Sequence, residues 1–247
     1  MKKSLLYLLL FIAFVSCSQW TPAVSKSGYT PVKEGKHAKS ESIIAPYRDS
    51  LSRTMKEVIG YCSNALITKK PQGSLGNFVC DLLLEDIPAI ASYQFLKEHN
   101  YFSLLNTRGF RAPLPEGEVT VERIFSIMPF ENEVVLVRMP IKELPTIGSS
   151  LVEKGGHPLS KNTSLVSFSG EFAGLHISDL KPAANMWIIT TDYLAEGGDN
   201  MEFFAKAEEV ISTHLKLRDV IIAHIRKLTS QGKSIQAETD DRILFFR

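Results

Sequence analysis

The sequence is poor in the signatures that usually announce a chemistry. Its 247 residues contain three cysteines and six histidines, and none of the histidines is paired with another histidine or a carboxylate at metal-ligand spacing. A self-contained metal hydrolase is therefore not expected. There is no Gly-x-Gly-x-x-Gly, no phosphate loop ending in Gly-Lys-Ser/Thr, no Gly-x-Ser-x-Gly elbow and no His-Glu-x-x-His. Ser230-Gln231-Gly232-Lys233 fits Ser-x-x-Lys but has no companion motif and reads as chance. Net charge is nearly absent as well: 28 basic residues face 27 acidic ones, which leaves no nucleic-acid footprint and favours a small or locally charged ligand. No internal repeat is visible, and His224, among apolar helix positions, reads as a core or rim residue.

Only one long apolar run is present, Leu5 to Val15, and it is too short to span a bilayer comfortably. Preceded by Lys2-Lys3, it makes residues 1–16 a secretory signal. Phe14-Val15-Ser16-Cys17 resembles a bacterial lipoprotein processing box without the usual leading Leu; the alternative is an ordinary signal peptide with an incidental cysteine. On the lipoprotein reading Cys17 is the lipidated mature N-terminus, its acyl chains anchor the protein in a membrane, and the protein is an exported envelope lipoprotein. The Ser, Pro, Lys and Gly content that follows reads as a flexible tether, so that residues 17–46 precede a domain of residues 47–247. Cys62 and Cys80 are left as a disulfide or two buried thiols.

At 44% hydrophobic residues, one sizeable core is expected. Leu51, Met55, Val58 and Ile59 are spaced like one face of a helix or of a mixed segment leading to Gly60, and Ser74 is placed to cap a helix with Leu75, Phe78, Val79, Leu82 and Leu83 on one face. Asp86-Ile87-Pro88 should end it, with a second helical piece over 89–98. Strands are expected at 102–105, 119–121, 133–139, 165–168, 176–177, 187–191 and 243–246, helical character broken by Pro145 at 141–152, and a helix face at 217–228. Helices and strands mix without regular alternation, which makes the fold class α+β, a single mixed-sheet domain with flanking helices.

Three of the strands run into polar turns carrying an amide, a guanidinium, a carboxylate or an aromatic ring: Leu104 to Arg111, Met128 to Asn132, and Thr191 to Asp199. Such strand ends share a rim when the strands are neighbours. With Ser74-Leu75-Gly76-Asn77 followed by Asp81, and with Asp241-Arg242-Ile243, these stretches resemble in order five motifs of the C-terminal, substrate-recognition domain of the 5′-nucleotidase family. The family patterns are Asn-Leu-Gly-Asn, Asn-Gly-Gly-Gly-Ile-Arg, Pro-Phe-Gly-Asn, Asn-Phe-Leu-Ala-x-Gly-Gly-Asp and Gly-Arg-Ile. The resemblance runs from about Tyr47 to the end of the chain.

It implies that Phe130 and Tyr193 clamp a nucleobase, that Asn106 meets the base edge, that Arg111 approaches phosphate or ribose oxygens, and that Asp199 accepts from ribose hydroxyls. Arg108 is a further candidate for a phosphate. Read on the residues alone, Asn106 caps a turn, Arg111 is a solvated charge and Asp199 stabilises the Gly-Gly turn. Thr107 and Arg108 stand where the family has glycines, which reshapes or closes the pocket, and Gln72 stands where it often has Glu.

The family's two-metal motifs, Asp-x-His, Gly-Asn-His-Asp and Gly-His-x-His, do not occur. The chain is accordingly expected to be inactive alone and to carry no catalytic residue and no metal of its own. Divalent metals belong to a separate metallophosphatase chain with which it forms a split nucleotidase. The alternatives are a stand-alone nucleotide-binding or nucleoside-binding lipoprotein, or an interaction surface whose pocket has closed.

Overall fold

The computed structural model of the protein describes residues 38–247; the readings of residues 1–16, of Cys17 and of the tether up to residue 37 lie outside the described residues. No described helix is long and apolar enough to cross a membrane. The first helix, α1, covers Ala38–Met55, with Pro46 inside it, and residues Pro46–Arg247 form one compact unit.

The helical spacing read through Val58 and Ile59 is not used as such. The helix stops at Met55 and these two residues enter strand β1 (Val58–Cys62), which pairs antiparallel with β3 (Gly117–Thr120), the strand that leads into helix α3 (Val121–Ile127). Helix α2 (Ser74–Asp86) has the boundaries its apolar spacing requires and buries all five positions of that face. Its cap is a correction. Gly73 is the N-cap residue, and the Ser74 hydroxyl instead accepts the Ile67 N–H at 3.0 Å, tying the incoming loop to the helix. Pro88 then ends the regular helix, and the segment Ala91–Glu98 is 3-10 rather than α.

The centre of the molecule is a four-stranded mixed sheet of β2 (Asn100–Ser103), β4 (Glu133–Pro140), β7 (Asn185–Thr191) and β8 (Glu209–Lys216), in the order β2-β7-β4-β8. Strand β4 is apolar at consecutive positions because both of its faces are covered. Val134 and Leu136 join one core with Trp187, Ile189, α2 and the helix α6 (Leu217–Ser230), whereas Val135, Val137 and Met139 join a second core with Met186, Ile188 and Phe102. The second core also takes in α4 (Leu144–Glu153) and the three-stranded sheet β6-β5-β9, made of β5 (Thr163–Phe168), β6 (Glu171–Ile177) and β9 (Ile243–Phe246). Pro145 does not break the 141–152 segment but sits in the first turn of α4, where its missing N–H has no partner to lose. Strands β5 and β6 form the expected hairpin, with Ser169 and Gly170 at positive φ in its turn. The fold is thus α+β with helices flanking a mixed sheet.

Cys62 and Cys80 are both buried, free thiols, and burial pushes the Cys80 thiol well up. Arg242, from the stretch before β9, is likewise buried; it donates to both carboxylate oxygens of Asp81 on α2, to the Asp240 carboxylate and to the Leu159 carbonyl. Gln72 adds a bond to Asp240 and Asn77 one to the Glu238 carbonyl. Two of the five motifs, those around Asp81 and Arg242, therefore bind each other and join the first helix of the motif series to the last strand.

Candidate functional site

Strand direction decides where the other three motifs meet. Strands β2 and β7 are parallel, with Ser103 opposite Ile189, so both end at the same edge of the sheet. Strand β4 is antiparallel to β7, with Val134 opposite Thr191, so it begins at that edge. The loop after β2, the turn before β4 and the short helix α5 (Asp192–Ala195) after β7 thereby share one rim. Between them lies a cleft of about 260 Å³ lined by Asn106, Arg108, Gly109, Arg111, Phe130, Asn132, Tyr193 and Asp199. Every residue singled out as a candidate from the sequence, Arg108 included, is in that lining. Asn132 and Gly109 are the additions.

Phe130 and Tyr193 are 40% and 44% exposed, so neither ring is a core residue. Large aromatic surface left in water at a concave site is available for stacking. The Tyr193 ring is held by its own turn. Its hydroxyl accepts the Asp199 N–H at 3.1 Å and donates to Asp199 Oδ1 at 3.2 Å. Gly198 makes that approach possible, since a Cβ there would lie 2.4 Å from the Tyr193 carbonyl oxygen and 2.5 Å from the ring. Gly197 at φ 90° and Asp199 at φ 51° complete a left-handed turn that aims the Asp199 carboxylate at the cleft.

Asn106 does not cap the turn it precedes. Its amide nitrogen donates to Asp199 Oδ2 at 2.7 Å, and its oxygen lies so close to Gly109 that a Cβ there would meet it at 2.7 Å. Thr107 and Arg108 do not close the cleft. Residues 107–109 form a 3-10 turn without any positive φ, so this backbone makes no use of the freedom glycine would give at the first two positions. Arg108 is exposed and points along the cleft wall. The Arg111 guanidinium lies 6.0 Å from the Phe130 ring centroid, at the outer range of a cation–π contact.

Positive charge gathers behind the loop. The Thr107 N–H donates to Nδ1 of His157 at 3.3 Å, and His157 is buried. Burial first, then the charges of Lys70, Lys154 and Arg108, bring the His157 pKa down to about 4 against the opposing pull of Asp199. Burial and Arg108 lower Lys70 too. At neutral pH the imidazole is thus an uncharged acceptor, and Asp199 is the carboxylate whose charge reaches both it and Lys70. Anionic groups are favoured here. Sequence spacing gave no sign of His157 or Lys70.

A larger cleft, of about 610 Å³, lies between α2 and residues 232–242. Most of the charged groups that line it already hold partners, Arg242 with Asp81 and Asp240 and Lys161 with Glu85, and His224 Nδ1 lies 2.6 Å from Asp86. That pairing makes it a structural seam. Among the described residues no group of three or more His, Cys, Asp or Glu side chains is placed to hold a metal ion, so a two-metal centre does not fit them.

Residues 56–144 match the family model for the 5′-nucleotidase C-terminal domain. Protein UshA of Escherichia coli strain K12 is 25% identical over 140 residues, which is 54% of this chain and 26% of that protein. The trifunctional nucleotide phosphoesterase protein YfkN of Bacillus subtilis strain 168 is 23% identical over 233 residues, 85% of this chain and 15% of that protein. The chain therefore spans about a quarter or less of these relatives. The crystal structure of a 5′-nucleotidase precursor from Thermus thermophilus superimposes with a TM-score of 0.65 at 19% identity, over 85% of this chain and 43% of the other. Over residues 56–144 the chain is thus similar in sequence to the C-terminal domain of the 5′-nucleotidases, and in fold it is similar to part of a 5′-nucleotidase precursor.

Proposed function

We propose that the protein recognises a nucleoside or nucleotide in the cleft at the strand ends. The observation that carries this reading is the lining itself: two exposed aromatic rings on a cleft that also presents two amides, two guanidinium groups and a carboxylate. Phe130 and Tyr193 stack on the base. Asp199 accepts from ribose hydroxyls, Asn106 meets the base edge or the sugar, and Arg111 with Arg108 faces the phosphate. Each stacked ring is worth about 1–3 kcal/mol and is indifferent to which base it meets. Similarity to nucleotide-processing relatives supports this role.

Catalysis is assigned to a separate metallophosphatase chain in the same exported compartment. The protein would be the recognition half of a split 5′-nucleotidase, held at the membrane through Cys17. The described residues hold no donor set for metal-assisted hydrolysis, which favours a recognition role for them. Titrating the protein with adenosine, AMP and UDP-glucose by calorimetry, then adding a metallophosphatase-domain protein with AMP, tests both levels. Binding that Phe130→Ala weakens, with a gain in hydrolysis on mixing, is expected; binding without any gain leaves a stand-alone nucleotide-binding protein. Absence of binding to all three ligands would remove the nucleotide reading.

A further inference from the structure

Phe130 is 40% exposed, so packing holds its ring on one side only and the turn that bears it also sets its direction. That turn is tied to the first residues of α6. The Leu217 N–H donates to the Asn132 carbonyl at 2.9 Å. Next to it, Arg218 is 6% exposed; its guanidinium carbon lies over the Phe125 ring, 3.9 Å from the centroid, and the group donates from Nη1 to the Phe130 carbonyl at 3.4 Å and ion-pairs through Nη2 with Glu131. The carbonyl of the clamp residue and the side chain of the residue after it are thus fastened to one buried side chain.

We propose that Arg218 is a positioning residue for the nucleobase clamp, holding the Phe130–Glu131 turn in the orientation that presents the Phe130 ring to a base. The proposal rests on the nucleotide-recognition reading above. Magnitudes favour geometry over stability as its role. Glu131 is 69% exposed at its side chain, and an ion pair with so solvated a partner adds little to folding. Arg218 Nε is buried without a partner, which costs folding free energy. What the arrangement does secure is the direction of a planar fork whose two arms reach consecutive residues of the turn. A turn ordered before binding does not have to be ordered by the ligand, and that difference appears as affinity for the base alone. Where the resembling family reads Pro-Phe-Gly-Asn this chain has Glu131, and it is Glu131 that gives the Arg218 fork its second acceptor.

The full chain is titrated with adenosine and with ribose 5-phosphate, which lacks a base, as wild type, Arg218→Met, Glu131→Gln, Phe130→Ala and the Phe130→Ala/Arg218→Met double variant. Arg218→Met is expected to weaken adenosine about tenfold, to leave ribose 5-phosphate unchanged, and to add nothing once Phe130 is gone. Glu131→Gln, on the surface and harmless to folding, should shift adenosine in the same direction by less. Without ligand, hydrogen exchange at the Leu217 amide should quicken about tenfold in Arg218→Met, because its acceptor turn loses its other fastening. Equal loss for both ligands, an effect that adds to Phe130→Ala, or unchanged Leu217 exchange would overturn the proposal. If wild type binds no adenosine the nucleotide reading fails, and Leu217 exchange alone then decides whether Arg218 holds the turn.

Discussion

The Tyr193 hydroxyl and the Asp199 main chain and carboxylate form a closed pair of hydrogen bonds, 3.1 and 3.2 Å long, across the Gly197-Gly198 turn. With Asn106 on its other oxygen, Asp199 has both carboxylate oxygens engaged before any ligand arrives. A ribose would have to share or displace these bonds. Tyr193→Phe keeps the stacking face and frees Asp199 Oδ1, so nucleoside affinity should stay within about threefold of wild type or rise. Tyr193→Ala removes the face and should cost about 1–3 kcal/mol of binding. Calorimetry on the two variants separates the hydroxyl from the ring.

Gly198 has no room for a side chain. A Cβ would press on the Tyr193 carbonyl oxygen and ring, so Gly198→Ala should force the ring out of place and lower stability by about 1–3 kcal/mol. Urea unfolding measures the stability, and titration should show a parallel loss of nucleoside affinity.

Low pH should reach the site through His157. Its pKa in the folded protein is about 4, below the ordinary 6.5, so between these values the unfolded chain binds more protons than the folded one. Stability therefore falls as pH drops from about 6.5 to about 4, by an amount on the order of 3 kcal/mol for a shift of that size. His157→Gln, which offers an amide oxygen to the Thr107 N–H, should flatten that part of the profile. Denaturant midpoints read every half pH unit would show it; identical slopes for the two proteins would count against the account of the loop.

How much of this was legible in the sequence depends on whether the signal was local. Helix α2 was, because Leu75, Phe78, Val79, Leu82 and Leu83 face one core at the spacing of a helix. Strand β4 was, because its apolar run serves two cores. Strand β8 was not. It is an edge strand with only Thr213 buried, its hydroxyl donating to the Val134 carbonyl, and so carries no alternation to read. The cleft candidates came from motif resemblance, and strand polarity brings them to one edge. The residues that brace them were invisible: His157, Lys70 and Arg218 act across 50 to 88 positions of chain, the pair His214–Glu133 spans 81 and the pair His224–Asp86 spans 138, and no spacing rule registers such distances.

Arg242 shows that a motif residue need not touch a ligand. Its guanidinium is buried among Asp81, Asp240 and the Leu159 carbonyl; burial works to lower its pKa, but the hydrogen bonds and charges of Asp240 and Asp81 outweigh it and raise the pKa. Arg242→Gln leaves Asp81 without its fork and should cost about 3–5 kcal/mol of folding stability. In protein that remains folded at low temperature, nucleoside affinity should be unchanged, because Asp81 and Arg242 line the other cleft.

The measurement that bears most directly on the central claim is a crystal structure of the protein soaked with AMP. The account predicts the adenine between the Phe130 and Tyr193 rings, with the ribose at Asp199 and the phosphate toward Arg111 and Arg108. A nucleotide seated elsewhere, or an empty cleft at saturating AMP, would contradict it.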